Sequence, residues 1–257
     1  MKTLQLHFRR AVAELLVILG GVLGALWVEA FRESRHDARL ERQYLERIVA
    51  EVDANLLEME RIRDFHRRYR SSALLLIDFL EGDSGEKLDT LGLAHAMAWA
   101  GYLNSESVPT ATIDDFFSNG GTTLLRDGHL LAQILRYRSL IERALRTFDQ
   151  TPRDFSHFAR RSLPEGFTRV AQECLWQLWD GAVQECNTPI SHPAATRALL
   201  ELRGSGDPIG LLREVVWYCD EVDYRFATRV EAATTLVAEI REALGMPGPE
   251  LQHLESS

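Results

Sequence analysis

Apolar residues fill almost every position between residues 11 and 31. The stretch reads AVAELLVILGGVLGALWVEAF, in which only Glu14 and Glu29 are charged and Trp27 lies near the end. About 20 apolar residues cross the ~30 Å hydrocarbon core of a bilayer, so the run suffices when both glutamates lie towards the interfaces. The pattern predicts a single transmembrane helix over about 11–31 within a membrane anchor over 1–35.

A cleaved signal peptide is the alternative interpretation of the same residues. Lys2, Arg9 and Arg10 form a basic segment before the run, and Val28-Glu29-Ala30 is a tolerable cleavage site. The apolar run has no polar end region, however, and passes directly into a charged helical pattern. This continuity favours the anchor, and cleavage stays open from the sequence alone.

A heptad pattern of apolar residues then extends over 36–80, a stretch without proline or glycine. Two series of positions, each with a period of seven and offset by three, place these residues on one helix face. Extra apolar residues widen the stripe, which favours a multi-helix bundle over a two-stranded coiled coil. Asn55 and His66 interrupt the stripe. Such groups can fix register, although a satisfied or partly exposed polar side chain is the commoner explanation.

Glycine and proline separate the remaining helical patterns, and no run alternates like a strand. The predicted helices cover about 87–102, 113–118, 126–151, 153–161, 165–185, 194–203 and 208–244. The last of them is predicted to run antiparallel to the long helix over 36–80. Asp207 before Pro208 predicts an N-cap, and Gly245 predicts the stop. The predicted class is all-α: a transmembrane helix continuing into a long helix of an extramembrane bundle over 36–246. A disordered tail is expected over 247–257.

Composition narrows the class of protein further. The 257 residues carry 29 Lys+Arg and 38 Asp+Glu, a net charge of −9, so we do not expect a nucleic-acid binder. Cys174, Cys186 and Cys219 lack C-x-x-C spacing. If one helix carried the first two, they would lie roughly 18 Å apart, beyond disulfide reach. We interpret the cysteines as small buried residues, while a pairing with Cys219 stays open.

Small residues recur at a spacing of four inside the predicted membrane helix. Gly20 and Gly24 form G-x-x-x-G, and Gly21 with Ala25 repeats the spacing on the neighbouring face. Such spacing lets two helices approach closely, which predicts a homodimer or a membrane-protein partner, although glycine is also common in membrane helices. Glu14 is an ionisable group inside the span, and it could either carry protons or reach the interface.

The sequence contains no familiar catalytic or cofactor motif, such as H-E-x-x-H, G-x-S-x-G, a Walker loop or G-x-G-x-x-G. No metal or cofactor is expected. The densest charge lies in RIRDFHRRYR, residues 61–70. Its arginines could bind an anionic partner, or they could form a solvated face paired with acidic residues, which we favour. They are Arg61, Arg63, Arg67, Arg68 and Arg70.

Three segments carry a family resemblance. They read AELLVILGGVLGALWVEAFRE, QYLERIVAEVDANL and, over Thr112 to Glu142, TIDDFFSNGGTTLLRDGHLLAQILRYRSLIE. The order resembles a bacterial family of single-span membrane proteins of unknown function, over about the first 145 residues. The resemblance implies a membrane-anchored helical domain, and it brings no activity or catalytic residues. The Gly120-Gly121 pair and the C-terminal part depart from it.

These observations favour a membrane-anchored helical interaction module, a scaffold or sensor-like domain. One alternative is an enzyme with a site inside the bundle, formed by His95, Trp99, Asp127 and His129. Another is an accessory subunit of an ion-translocating complex that uses Glu14. Expected partners are the lipid bilayer and a second copy or a membrane protein, while any small-molecule ligand stays unknown.

The expected location is the bacterial inner membrane, with a single span. The two indications of its orientation disagree. Five arginines over 32–47 would hold the bundle in the cytoplasm, because basic residues favour that side. A short basic N-terminus before a first apolar run is instead the form of a signal anchor, which exports the chain that comes after it. We expect the C-terminal domain outside the cytoplasm.

Overall fold

The computed structural model describes residues 2–82, 89–102, 108–148, 153–179 and 189–247, without the side chains of 2–18, 145–148, 175 and 178–179. The regular elements within these ranges are all helices, so the all-α class is confirmed. They are α1 (Lys2–Glu81), α2 (Thr90–Ala100), α3 (Ala111–Ser118), α4 (Gly121–Leu124), α5 (Gly128–Phe148), α6 (Asp154–Ser162), α7 (Glu165–Trp179), α8 (His192–Gly204) and α9 (Pro208–Leu244). Of the tail expected over 247–257, residues 248–257 lie outside the described residues.

Helix α1 joins the predicted anchor to the heptad segment in one helix of 80 residues. At about 1.5 Å per residue it is roughly 120 Å long. The predicted continuity is therefore confirmed. Its apolar heptad positions are buried from Leu45 onwards, whereas every residue over 19–36 is exposed. Over the described part of the chain, no helix combines the length and the apolar character that crossing a membrane requires.

Helix α9 lies antiparallel to α1 along the bundle. Arg241 Nη2 is 2.7 Å from Asp53 Oδ2, and Arg213 Nη2 is 3.1 Å from Glu81 Oε1. Residue numbers thus rise along one helix as they fall along the other, as predicted. Between these pairs the two apolar stripes form the centre of the core. Helix α2 packs against α1, and helix α5 packs against α9.

The ends of α9 follow local sequence signals. Asp207 accepts a hydrogen bond from the backbone N–H of Gly210 at 2.9 Å, and Pro208 opens the helix. Gly245 closes it in the left-handed conformation, with a φ of 64°. Both predicted caps are confirmed, because each depends only on neighbouring residues.

Helix α4 is a short element that the sequence did not predict. The turn expected at Asn119-Gly120-Gly121 is present, and Gly120 has a φ of 79°. The backbone then makes one further helical turn, which brings Gly121 against Phe116. A Cβ at Gly121 would collide with the Phe116 ring, so this contact requires glycine.

Candidate functional site

The apolar segment, residues 19–31 of α1, exposes many large apolar side chains next to one another. Its large apolar side chains are between 46% and 69% exposed, and α1 carries them beyond the end of the bundle core. A soluble surface rarely shows so many neighbouring apolar side chains unless it binds a partner or a membrane. They are Leu19, Val22, Leu23, Leu26, Trp27, Val28 and Phe31.

Aromatic and basic side chains follow one another at the C-terminal end of the apolar segment. The rings of Trp27 and Phe31 are stacked with centroids 5.7 Å apart, and the guanidinium of Arg35 lies 4.5 Å from the Phe31 ring centroid. Aromatic rings followed by a cation are typical of a helix at the interface between lipid and water.

The small residues predicted for helix packing all lie on the exposed surface of α1. A Cβ added at Gly20, Gly21 or Gly24 would meet nothing within 4 Å. Ala25 is exposed as well. Both small-residue faces are therefore uncovered in the described structure. Glu14 lies in the helical backbone of α1, but its side chain is outside the described residues.

The arginines considered as a possible surface for an anionic partner lie along α1, and two of them bind carboxylates within the chain. Arg63 Nε donates to Asp223 Oδ1 at 2.6 Å, and Arg70 Nε donates to Asp220 Oδ1 at 2.6 Å. The hydrogen bond from Arg63 lowers the pKa of Asp223, with further lowering by the charges of Arg63, Arg67 and Arg70. These contacts agree with an arginine face paired with acidic residues of α9.

The remaining three arginines make looser contacts. Arg61 lies 3.6 Å from Glu58, and Arg67 lies 3.6 Å from Asp64 and 3.9 Å from Asp223. The guanidinium of Arg68 lies 5.9 Å from the centroid of the Trp99 ring. Arg67 therefore stands closest to the paired carboxylates of α9 without a hydrogen bond to them.

A cavity of about 250 Å³ lies between α1 and α9 beside these arginines. We call it the α1–α9 cleft. Residues 63, 66, 67 and 70 share one face of α1, because they are spaced by three and four. The sequence alone could show, from this spacing, that the four residues lie on one helix face. Only the position of α9 shows that this face is one wall of a cavity. The cleft is lined by Arg63, His66, Arg67, Arg70, Cys219, Asp220, Val222 and Asp223.

His66 forms a buried part of the cleft wall and is 2% exposed. Its ring contacts Tyr69 and Tyr218, at centroid distances of 5.4 Å and 5.7 Å, and neither ring nitrogen has a hydrogen-bond partner in the described structure. Burial, together with the charge of Arg229, lowers the pKa of His66 to about 3. The expected satisfied or partly exposed side chain is thus wrong for His66, because the side chain is buried and neither ring nitrogen is hydrogen-bonded within the described residues.

Asn55, the other polar residue on the apolar stripe, is hydrogen-bonded, as expected for a polar group at such a position. It is 1% exposed, and its Nδ2 donates to the Pro109 carbonyl at 2.7 Å and to the Tyr137 hydroxyl at 3.0 Å. Burial raises the pKa of Tyr137 to about 12, although the hydrogen bond from Asn55 opposes the shift. Asn55 therefore links α1, α5 and the segment before α3.

The residues considered for an enzyme site have separate structural contacts. His95 packs edge-on against Phe167 at 5.2 Å, while Asp127 accepts the backbone N–H of His129 at 2.8 Å at the start of α5. His129 Nε2 lies 3.2 Å from a carboxylate oxygen on α9. The fourth residue, Trp99, contacts Phe65 and Tyr69. Within the described residues, no group of three or more metal-ligating side chains could hold a metal ion.

The cysteines do not all behave as small buried side chains. Cys219 is a buried thiol, as expected, whereas Cys174 is disulfide-bonded and half-buried. The expectation for Cys174 is therefore wrong. The separation of roughly 18 Å applies only if one helix carries residues 174 and 186. Helix α7 ends at Trp179, and Cys186 lies outside the described residues.

Comparison with protein-family models, curated proteins and solved structures gave no match.

Proposed function

We propose that the protein is a membrane-anchored helical interaction module, with its N-terminal helix in a bilayer over about residues 11–31. The exposure of the apolar segment carries this proposal. Covering one large apolar side chain is worth about 1.5–3 kcal/mol, so covering this segment is worth on the order of 10 kcal/mol. An apolar surface around the whole circumference of a helix is typical of a helix surrounded by lipid or by protein.

A bilayer fits this surface better than a protein groove does. The apolar run continues in the sequence from residue 31 back to residue 11, close to the length that a bilayer core requires. Trp27, Phe31 and Arg35 then follow in the order typical of a lipid–water interface. Leu45, the first buried core residue of α1, lies about 21 Å along the helix from Phe31. The helix would therefore hold the bundle just clear of the headgroups.

A second copy of the chain is the partner that we propose inside the membrane. Gly20 and Gly24 present an uncovered face on which another helix could approach closely. Because α1 continues from this face into the bundle, a change in helix pairing would reach the core without an intervening hinge. This continuity suits a scaffold or a sensor-like domain.

The disulfide at Cys174 supports a bundle outside the cytoplasm. Disulfides persist in oxidising compartments and are rare in the reducing cytoplasm. We expect Cys174 in intact cells to resist a membrane-impermeant maleimide until a reductant is added, and to react after reduction. Protection from the maleimide even after reduction, until the cells are lysed, would place the bundle inside the cytoplasm.

Membrane extraction tests the anchor directly. We expect the full chain to remain in the membrane pellet after alkaline carbonate treatment, and the double variant Leu23→Arg/Leu26→Arg to be released. The matched control is Leu57→Arg/Leu200→Arg, at positions that are 64% and 63% exposed on the bundle. The control should remain in the pellet. Release of the unmodified chain, or equal release of both variants, would contradict the proposal.

A further inference from the structure

We propose that the α1–α9 cleft binds a small molecule through one oxyanion group, a carboxylate or a phosphate, held chiefly by Arg67. The inference deepens the proposed function, on which it rests, because it names a class of ligand for the anchored domain. A volume of about 250 Å³ suits a small metabolite rather than a segment of a macromolecule.

The acidic residues of α9 hold two of the cleft arginines in place and leave the third available. Arg63 and Arg70 each donate to a carboxylate at 2.6 Å. Arg67 is 57% exposed, and its contacts with Asp64 and Asp223, at 3.6 Å and 3.9 Å, are longer than hydrogen bonds. A guanidinium presents a planar fork of N–H groups that matches a carboxylate or phosphate. Arg67 is therefore the group best placed to bind an incoming anion.

The charges that line the cleft fit a single anionic group. Three guanidinium groups face two carboxylates, and the imidazole of His66 is neutral at physiological pH. The net charge of the lining is thus one positive, which favours a single anionic group, and the Asp64 carboxylate, 3.6 Å from Arg67 outside the lining, offsets part of this charge. Asp220 and Asp223 would repel a second negative charge. This repulsion disfavours an acidic peptide or a nucleic acid, which carries many charges.

His66 supplies a second feature that points to a ligand. A neutral imidazole has one N–H donor and one acceptor nitrogen, and both nitrogens of His66 are buried without a partner. Buried polar groups are hydrogen-bonded in the great majority of cases, so such an exception calls for an explanation. A ligand that enters the cleft beside Arg67 would come within reach of this side chain, which lines the same cavity.

Lipid headgroups carry the same phosphate chemistry, but the anchor places them far from the cleft. Phe31 ends the apolar segment, and 36 residues of α1 separate it from Arg67. At about 1.5 Å per residue, this separation is roughly 54 Å along the helix. The headgroups of the membrane that holds the anchor therefore lie out of reach, and we assign the site to a soluble molecule.

Thermal unfolding of the full chain in detergent micelles tests the cleft. The probes are inorganic phosphate and acetate, added at constant ionic strength with sodium chloride. We expect a saturable rise in Tm with at least one probe, and an apparent affinity about ten-fold weaker in Arg67→Gln, since one charge-assisted contact is lost. The matched control, Arg61→Gln, removes the same charge from the same helix outside the cleft and should keep the affinity. No saturable shift, or equal weakening in both variants, would overturn the proposal.

Two further variants and one lipid probe sharpen the result. Arg67→Lys keeps the charge without the fork, so we expect weaker binding than in the unmodified chain. His66→Phe replaces the imidazole with an aromatic ring that has no nitrogen, and this variant should also bind the probe more weakly. Unchanged affinity would overturn the role given to His66. Vesicles of phosphatidylglycerol should give no Arg67-dependent shift relative to phosphatidylcholine. Such a shift would overturn the soluble ligand in favour of a headgroup.

Carbonate extraction of the same variants separates this inference from the proposed function. Arg67→Gln should remain in the membrane pellet, because Arg67 lies far from the apolar segment. Loss of saturable binding with anchoring intact is the expected result for this variant. If the unmodified chain binds the probe but does not remain with the membrane, the anchoring proposal fails and the oxyanion site stands. The comparison of phosphatidylglycerol with phosphatidylcholine vesicles then decides alone between a soluble ligand and a headgroup.

Discussion

Two regions of the same helix, the apolar segment over 19–31 and the heptad segment over 45–77, have opposite surroundings. Large apolar side chains of the first are 46–69% exposed, whereas the apolar heptad side chains of the second, from Leu45 to Ile77, are less than a tenth exposed. The difference lies in the pattern rather than in apolar content. One apolar face can be covered by α9 and α2, while an apolar circumference exceeds what a bundle can cover.

The end of α9 lies near the boundary between the two regions, where α3 also contacts α1. Arg241, in the last turn of α9, pairs with Asp53 of α1, and the helix ends at Leu244. Burial on α1 begins at Leu45, close to this point. Before Leu45, the Tyr44 ring packs against Phe116 of α3, and Arg126 Nη2 lies 3.5 Å from Ser34 Oγ. The side chains over 19–31 are exposed, and we propose lipid as the molecule that covers them.

The largest difference between the regions is expected from truncating one side chain in each. Met59→Ala removes a side chain that is fully buried and should lower the free energy of unfolding by about 2–5 kcal/mol. Leu26→Ala removes one that is 56% exposed and should change it by less than about 0.5 kcal/mol. Urea unfolding of the full chain in detergent, followed by tryptophan fluorescence, measures both. Equal losses would contradict the comparison.

Acid should destabilise the heptad segment through His66. Its pKa is about 3 in the folded protein against an ordinary value of 6.5, so the unfolded chain takes up the proton first. The contribution of neutral His66 to stability is complete above about pH 6.5 and should be lost as the pH drops towards 3, by roughly 1 kcal/mol per pH unit. Unfolding at stepped pH should show that His66→Phe reduces this slope. The control is His36→Phe, in the exposed part of α1, and the same slope in both variants would refute this origin.

A smaller effect is expected from the polar residue that ties α1 to α5. Asn55→Leu removes the donor to Pro109 and Tyr137, and should cost about 1–3 kcal/mol, because two buried oxygens lose their partner. Gln43→Leu is the control, since Gln43 is exposed on α1 just before the buried stripe. Chemical unfolding of the two variants measures the difference. An Asn55→Leu protein as stable as the control would show that these hydrogen bonds contribute nothing.

The smallest effect is expected between the two regions, where α1 is solvated. Arg42 and Glu46 form an ion pair at 2.8 Å with side chains that are 57% and 45% exposed. Arg42→Gln should change the free energy of unfolding by less than about 0.5 kcal/mol, because water screens the pair. Differential scanning calorimetry of the variant beside the unmodified chain measures this change. A loss as large as that in Asn55→Leu would show that the solvated stretch belongs to the cooperative bundle.

Local patterns in the chain specify the helices and most of their ends. The heptad spacing over 36–80 predicted the long helix, and Asp207 with Gly245 predicted where α9 begins and ends. Each of these signals acts through residues at most a few turns away, so neighbouring side chains suffice to determine the local backbone. The apolar character of 11–31 is likewise visible in the sequence.

The assembly of the helices selects which surfaces meet. His66 and Arg67 are neighbours on α1, but only the antiparallel position of α9 buries the first and leaves the second at the mouth of a cavity. The hydrogen bonds from Asn55 to Pro109 and Tyr137 also depend on how the chain folds back. Burial and ion pairing are set by residues distant in sequence. The apolar pattern of one helix shows which face must be covered, but the element that covers it is known only once the helices are packed together.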